Sequence, residues 1–289
     1  MASLKELRNR ITSISSTMQI TSAMKMVSAA KLKRAQDAIQ QLRPYANKLR
    51  EILVNISGSV EGEAGSYTVA REVKSVLLVV ITSNRGLCGA FNANVVKLAS
   101  KAAAEHQQQG REVKLLIIGK KAFDAFKSRK MTIVDNQSDV WSNIGFEEVA
   151  VVANSVMKGF TEGEYDHVEL FYNRFRNAGV QIPTKEVFLP VQVEQEEAAQ
   201  SANKDYLFEP SKVEILEDLI PTTLRTQLFK AILDSNASEH GARMTAMHKA
   251  TDNAAELQRT LRLDYNKARQ ASITNEILEI VGGAEALDG

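Results

Sequence analysis

A single cysteine, Cys88, is the only thiol in this chain, so no internal disulfide can form. The longest uninterrupted apolar run covers only residues 76–81, far short of the ~20 residues a membrane-spanning helix needs. Neither a Walker A pattern nor a GxGxxG follows any candidate strand, which removes the two commonest phosphate-binding signatures. His106, His167, His240 and His248 stand in no metal-ligand spacing, and no metal or cofactor site is expected. Tyr45 is the only aromatic residue among the first 50, too little for a base-stacking nucleic-acid surface. The start is charged and amphipathic and carries no signal-peptide cleavage pattern. With 289 residues, 44% of them hydrophobic and 25% charged, the composition reads as a soluble intracellular chain, large enough for one domain plus extensions.

Those extensions are helical. Ser3 and Glu6 form a capping-box pattern that starts a helix. Behind it Leu4, Leu7, Ile11, Ile14 and Met18 step by three and four, and the stripe slips through Ile20 to Met24 and Val27 before reaching Ile39 and Leu42. No glycine occurs before Gly58, and Pro44 is expected to kink the rod without ending it. At 1.5 Å per residue such a helix is roughly 80 Å long. A second begins after Pro210 and Ser211. Leu216, Leu219, Leu224, Leu228, Ile232, Met244, Met247, Ala254, Leu257, Leu261, Tyr265 and Ala268 recur at helical spacing as far as Ile277, Ile280 and Val281, with Pro221 and Gly241 the only breakers. The two helices are expected to pack on each other antiparallel. The stripe is lean between Met244 and Ser272, so this coiled coil needs support from a surrounding protein.

Residues 58–66 form a Gly, Ser and Glu-rich joint. Beyond it the pattern predicts strands at 75–82, 113–118, 131–134 and 167–175 and helices at 92–109, 122–127 and 146–161, with an antiparallel edge strand over 180–193 and an acidic loop at 194–197. The fold class is therefore α/β: a Rossmann-like central domain with a mainly parallel sheet, plus the coiled coil of the two terminal helices. The expected domains are 1–57, 58–210 and 211–289.

Two features of this layout bear on chemistry. The glycine-rich turn at 84–89 lies between a strand and a helix and could hold an anion, although turn geometry alone explains such glycines. Cys88 at that helix start would have a lowered thiol pKa, but no histidine stands near it in sequence, and a catalytic role is set aside. Residues 1–50 hold ten Lys and Arg against Glu6 and Asp37, in a chain whose net charge is only +1. This basic rod suits an acidic protein partner better than nucleic acid or direct membrane insertion.

The stretch ITSISSTMQITSAMKMVSAAKLK at 11–33, the turn SNRGLCGAFN at 83–92 and the run NKARQASITNEILEIVGGA at 266–284 closely resemble the gamma subunit of F-type ATP synthases. The last is the most specific, with Ile273, Thr274, Glu276, Glu279, Gly283 and Ala284 all at matching positions. The resemblance runs along the whole chain, loosely in the middle. It implies a non-catalytic rotor shaft whose partners are the alpha and beta subunits of a hexameric head, the epsilon subunit and the membrane ring of c subunits. By matching positions, Met24, Lys25, Arg85, Cys88, Arg269, Gln270, Thr274 and Glu276 contact the beta subunit. Ile273, Ile277, Ile280 and Val281 form an apolar apex bearing, and Leu278 widens it. Tyr206 and Glu209 fall at the foot, against the membrane ring and epsilon. The paired-cysteine segment of light-regulated plastid relatives is absent, so redox control is not expected. The implied setting is peripheral, on the cytoplasmic face of a bacterial inner membrane. A nucleotide-utilising α/β enzyme with helical arms and a coiled-coil scaffold remain the alternatives.

Overall fold

The computed structural model describes residues 3–57, 65–68, 71–191 and 212–288. Its elements, in order, are α1 (Leu4–Ser57), α2 (Gly65–Thr68), β1 (Ser75–Ile81), α3 (Phe91–Gln108), β2 (Glu112–Ile118), α4 (Lys120–Ser128), β3 (Ile133–Asn136), a 3-10 turn (Ser138–Ser142), α5 (Phe146–Thr161), β4 (His167–Asn177), β5 (Val180–Leu189) and α6 (Lys212–Asp288). They divide into two compact units, residues 29–243 and the pair of segments 1–28 and 244–289.

In the larger unit the sheet runs β3-β2-β1-β4-β5, parallel except for β5, which lies antiparallel to β4 at one edge. Edge placement tolerates Pro183, which has no amide to give a ladder. β1 is central and apolar on both faces. Leu77, Val79 and Ile81 point to α5 and to the first turns of α6, while Val76, Leu78 and Val80 point to α3 and α4. The sequence pattern assigned all of α6 to the shaft. Its Leu216, Ile220, Leu224, Leu228 and Ile232 are instead fully buried in the sheet's core, with Leu53 of α1 in the same cluster. These are the large side chains of the stripe, and a broad sheet face offers each more area than a two-helix seam does.

The smaller unit is the antiparallel helix pair. Thr21 Oγ1 and Thr251 Oγ1 are hydrogen-bonded at 2.8 Å, and Arg8 Nη2 donates to Tyr265 Oη at 3.0 Å. As one helix number rises by 13 the other falls by 14, which fixes the direction. On α1 the buried and half-buried positions follow an unbroken three-four spacing through Leu4, Leu7, Ile11, Ile14, Met18, Thr21, Lys25 and Ser28. On α6 they run Met247, Thr251, Ala254, Gln258, Leu261, Tyr265 and Ala268.

Several expectations need correcting here. The stripe does not slip: Ile20 and Val27 are 60% and 58% exposed, and Thr21, Lys25 and Ser28 take the seam. Likewise Leu257 is exposed and Gln258 is turned inward. A hydrophobicity pattern misses such positions because small hydroxyls satisfy themselves on their own helix, as Ser28 Oγ does by donating to Met24 O at 2.8 Å. Only half of the capping box forms: Glu6 N donates to Ser3 Oγ at 3.2 Å, but the Glu6 carboxylate takes Arg10 at 2.7 Å. Gly241 does not break α6. It marks a close approach, since a Cβ there would stand 3.2 Å from Ala178 Cα.

Three substitutions test this packing. Gly119 has φ +123°, and a Cβ on it would stand 2.0 Å from Thr82 O; Gly89 has φ +59° with open space around it. Gly119→Ala should therefore lower stability by several kcal/mol in chemical denaturation, against about 1 kcal/mol for Gly89→Ala. Asp234 is buried on α6, and burial pushes its carboxyl up from 3.8 to about 6, with Lys230 and Arg43 pulling the other way. Between those values the folded state holds more protons than the unfolded one, so stability falls as pH rises through that window. The cost, complete above pH 6, is at most about 3 kcal/mol. Asp234→Asn should raise the melting temperature at pH 7.5 and flatten the stability profile between pH 4 and 6.

Candidate functional site

A doubly wound sheet of this kind binds ligands outside the carboxyl ends of its strands, where neighbours of the first strand diverge to either side. Here that position is the crevice beyond β1, between β2 and β4. The first amides of α4 are already taken there. Lys120 N donates to Asn84 Oδ1 at 2.8 Å, Lys121 N to Ser83 O at 3.2 Å and Ala122 N to Thr82 Oγ1 at 2.9 Å. A phosphate at this helix start would have no donors left. From the other side α6 closes the crevice. Ser238 Oγ donates to Asn173 O at 2.9 Å, and Arg243 Nη2 donates to Gly86 O at 3.2 Å and Arg85 O at 3.4 Å. The turn after β1 is thus a seat for α6. Its glycine at 89 and Leu87 both have positive φ, so backbone geometry explains the turn without an anion.

Buried titratable groups serve the same packing. Arg243 pairs with Glu239 on the preceding turn of α6, and burial raises the Glu239 carboxyl against the pull of Arg243 and Lys31. Cys88 packs with Phe91 and Ala242, and burial pushes its thiol up, reversing the lowered pKa expected at a helix start. Glu169 is buried on β4. Burial alone would raise it, but hydrogen bonds from His167 and Lys185 and the nearby His106 outweigh that and hold it at about 2. His106 and His167 place Nε2 at 3.3 Å and 3.2 Å from Glu169 Oε1, a pairing invisible in their sequence spacing. Arg111 donates to His106 Nδ1 at 3.1 Å, which commits Nε2 to carrying the proton and leaves it no lone pair for a metal. Among the described residues no cluster suits a metal ion.

The exposed chemistry lies elsewhere. With Thr21 opposite Thr251, Leu4 falls opposite Ala268, and α6 beyond Ser272 has no counterpart on α1, which starts at Leu4 behind the Ser3 cap. Ile273, Ile277, Leu278, Ile280 and Val281 stand on this overhang at 48–71% exposure. Arg269, Gln270, Thr274 and Glu276 are exposed just below and along it, with Thr274 Oγ1 turned back to Gln270 O at 2.9 Å. Met24 and Lys25 are half-buried in the same unit, some 20 residues away along the pair, or about 30 Å. Arg85 is exposed on the turn of the larger unit, whereas Cys88, 1% exposed, has no surface to offer a partner. Leu87, 67% exposed, is the residue that turn presents, and Ile20, Met26 and Val27 are the apolar side chains that α1 presents. The sequence pattern missed these, having placed Ile20 and Val27 in the seam. Tyr206 and Glu209 lie outside the described residues.

A family profile described as ATP synthase matches residues 3–287. The ATP synthase gamma chain of Flavobacterium johnsoniae is 60% identical over the full length of both chains, and that of Geobacter metallireducens 45%. Among solved structures, a chain of the Euglena gracilis mitochondrial ATP synthase, in its OSCP/F1/c-ring assembly, overlays with a TM-score of 0.68 at 22% identity, covering 98% of this chain and 94% of that one. A chain of the Tetrahymena thermophila mitochondrial ATP synthase central stalk and c-ring gives 0.58 at 27% identity, covering 80% of this chain and 99% of that one. A profile spanning nearly every residue and full-length relatives of one name agree: the chain belongs to the ATP synthase gamma chain family.

Proposed function

We propose that this chain works as the central stalk of an F-type ATP synthase, a non-catalytic shaft that couples ion flow through a membrane ring to sequential conformational change in catalytic beta subunits. The observation that carries this reading is the overhang of α6, where five large apolar side chains stand exposed on a helix that its own partner helix cannot cover. Such a tip needs a collar around it, and the alpha and beta subunits of the head are the partners to which family membership points. The basic face of α1 and the exposed Ile20, Met26 and Val27 then meet the beta subunits lower down, with Arg85 and Leu87 presented by the larger unit. The larger unit is the foot, against the c ring and epsilon, and the complex sits peripherally on the cytoplasmic face of a bacterial inner membrane.

A shaft of this kind acts through asymmetry. The two helices present different side chains to three chemically equal neighbours, so each neighbour meets a different surface at any instant and its nucleotide site differs accordingly. Driving one site from mostly open to mostly closed takes about 5.5 kcal/mol of differential contact. Exposed ion pairs supply only about 0.2 to 1 kcal/mol each, so the drive is spread over many contacts, apolar ones included.

Reconstitution tests both the reading and the tip. Mixed with separately purified alpha and beta subunits, the chain should enter a complex at one copy per hexamer, and alone it should hydrolyse no ATP; turnover in its isolated state would restore the enzyme reading. Replacing Ile277 and Ile280 together by Asp should leave the free chain's melting within about 0.5 kcal/mol of the parent, because both side chains are already exposed. The same pair should weaken assembly with the head. An equal loss of free-chain stability would place these residues in a coiled-coil core instead.

A further inference from the structure

Outside the crevice and the shaft surfaces, the larger unit contains a cleft of about 450 Å³, bounded by the outer edge of β5, by residues 46–53 of α1 and by residues 220–230 of α6. Its volume lies within the range of small-molecule sites, ~300–1,000 Å³. The floor is apolar: Leu49, Leu53, Phe188, Ile220 and Leu224 line it and are each nearly fully buried from solvent. Its polar groups are unevenly charged. Among the described residues, Arg50, Lys185 and Lys230 line the cleft against one carboxylate, Glu186. That carboxylate already accepts the Tyr172 hydroxyl at 2.6 Å, and the Lys185 amino group is held by Glu169 at 2.8 Å on the far face of the sheet. Lys230 stays exposed, with Asp234 the acidic neighbour on its own helix. Thr223 Oγ1, also in the lining, is buried without a hydrogen-bond partner, a donor the protein itself leaves unused.

We infer that this cleft is a binding site for a free single-chain anionic amphiphile, a carboxylate head with an alkyl tail. The head lies toward Lys230, within reach of the unused Thr223 hydroxyl, and the tail lies along the apolar floor between the shaft helices and the sheet. An apolar slot with cations on its rim selects against a short anion, which gains nothing from the floor, and against a cationic amphiphile, which the rim repels. Each methylene added to the tail should tighten binding by about fourfold until the floor is filled.

The experiment is calorimetry on the full chain with octanoate, decanoate and laurate, each below its micelle concentration. Saturable binding at one per chain is expected, tightening along the series, with butyrate and dodecyltrimethylammonium not binding. Lys230→Glu should weaken laurate at least tenfold, and Gln227→Trp, which places a ring in the slot, should abolish binding; circular dichroism checks that both variants fold. Should either variant misfold, the chain-length series and the cationic control on the unaltered chain still decide. Binding that ignores tail length, equal binding of dodecyltrimethylammonium, or laurate affinity untouched by two folded variants would overturn the inference. Phosphatidylglycerol vesicles that bind equally with and without Gln227→Trp, in the absence of any laurate site, would assign the charge to a membrane surface instead.

Discussion

The antiparallel register of α1 on α6 is the constraint from which the exposed chemistry follows. A single pair, Thr21 with Thr251, sets that register, and Arg8 with Tyr265 repeats it some 13 residues away. Once it is set, the capped start of α1 decides where the pair ends, and among the described residues α6 beyond Ser272 runs past α1. An isolated helix of about four turns is marginal in water, so the overhang gains its order from whatever surrounds it. The seam beneath is also lean, with Thr, Ser, Lys and Gln at positions where a self-sufficient coiled coil would place Leu or Ile. Both facts point to a shaft stabilised from outside, and a part that must present different faces to its neighbours gains from a surface designed for contact more than from a deep core.

The same helix begins in a different role. Its first turns bury large aliphatic side chains against β1 and β4, and its middle turns seal the carboxyl end of the sheet through Ser238, Gly241 and Arg243. Here a sheet of doubly wound topology has the carboxyl ends of its strands covered by a helix of its own chain. The first amides of α4 are spent on Asn84, Ser83 and Thr82, and Ser238 and Arg243 of α6 bond to backbone carbonyls at the strand ends. Fold and function part here because a site depends on who fills the crevice, which the topology leaves open.

Much of this was legible from residue order. β1, β2 and α5 declared themselves by period and flanking turns, and the two long helices by the scarcity of glycine and proline. What escaped the pattern did so for identifiable reasons. Thr21, Lys25 and Ser28 are seam positions that hydrophobicity cannot flag, because hydroxyls bonded to their own helix and an aliphatic lysine stem fill such places while counting as polar. Cys88, at a helix start, was expected to have a lowered thiol pKa, and packing with Ala242, more than 150 residues away, buries it and pushes the thiol up instead. The Glu169 cluster joins α3, β4 and β5, and no local spacing encodes it. The overhang lay between these cases: its apolar residues were plain in sequence, but only the register shows that they have no partner.

A lean seam and an exposed surface also bear on how torque could be shared. If one ion pair carried the coupling, its geometry would need a rigid shaft to hold it, since charge contacts weaken quickly with misplacement and are screened by salt. The residues the shaft presents are instead mixed: Ile20, Met26 and Val27 beside Lys31, Lys33 and Arg34 on α1, and isoleucines beside Arg269 and Glu276 on α6. Apolar contacts tolerate small shifts and scale with area, while the charges bias orientation from farther away. On the proposed reading, a rod carrying both passes from one neighbour to the next with no single contact indispensable, and that tolerance is what repeated rotation past equivalent subunits requires.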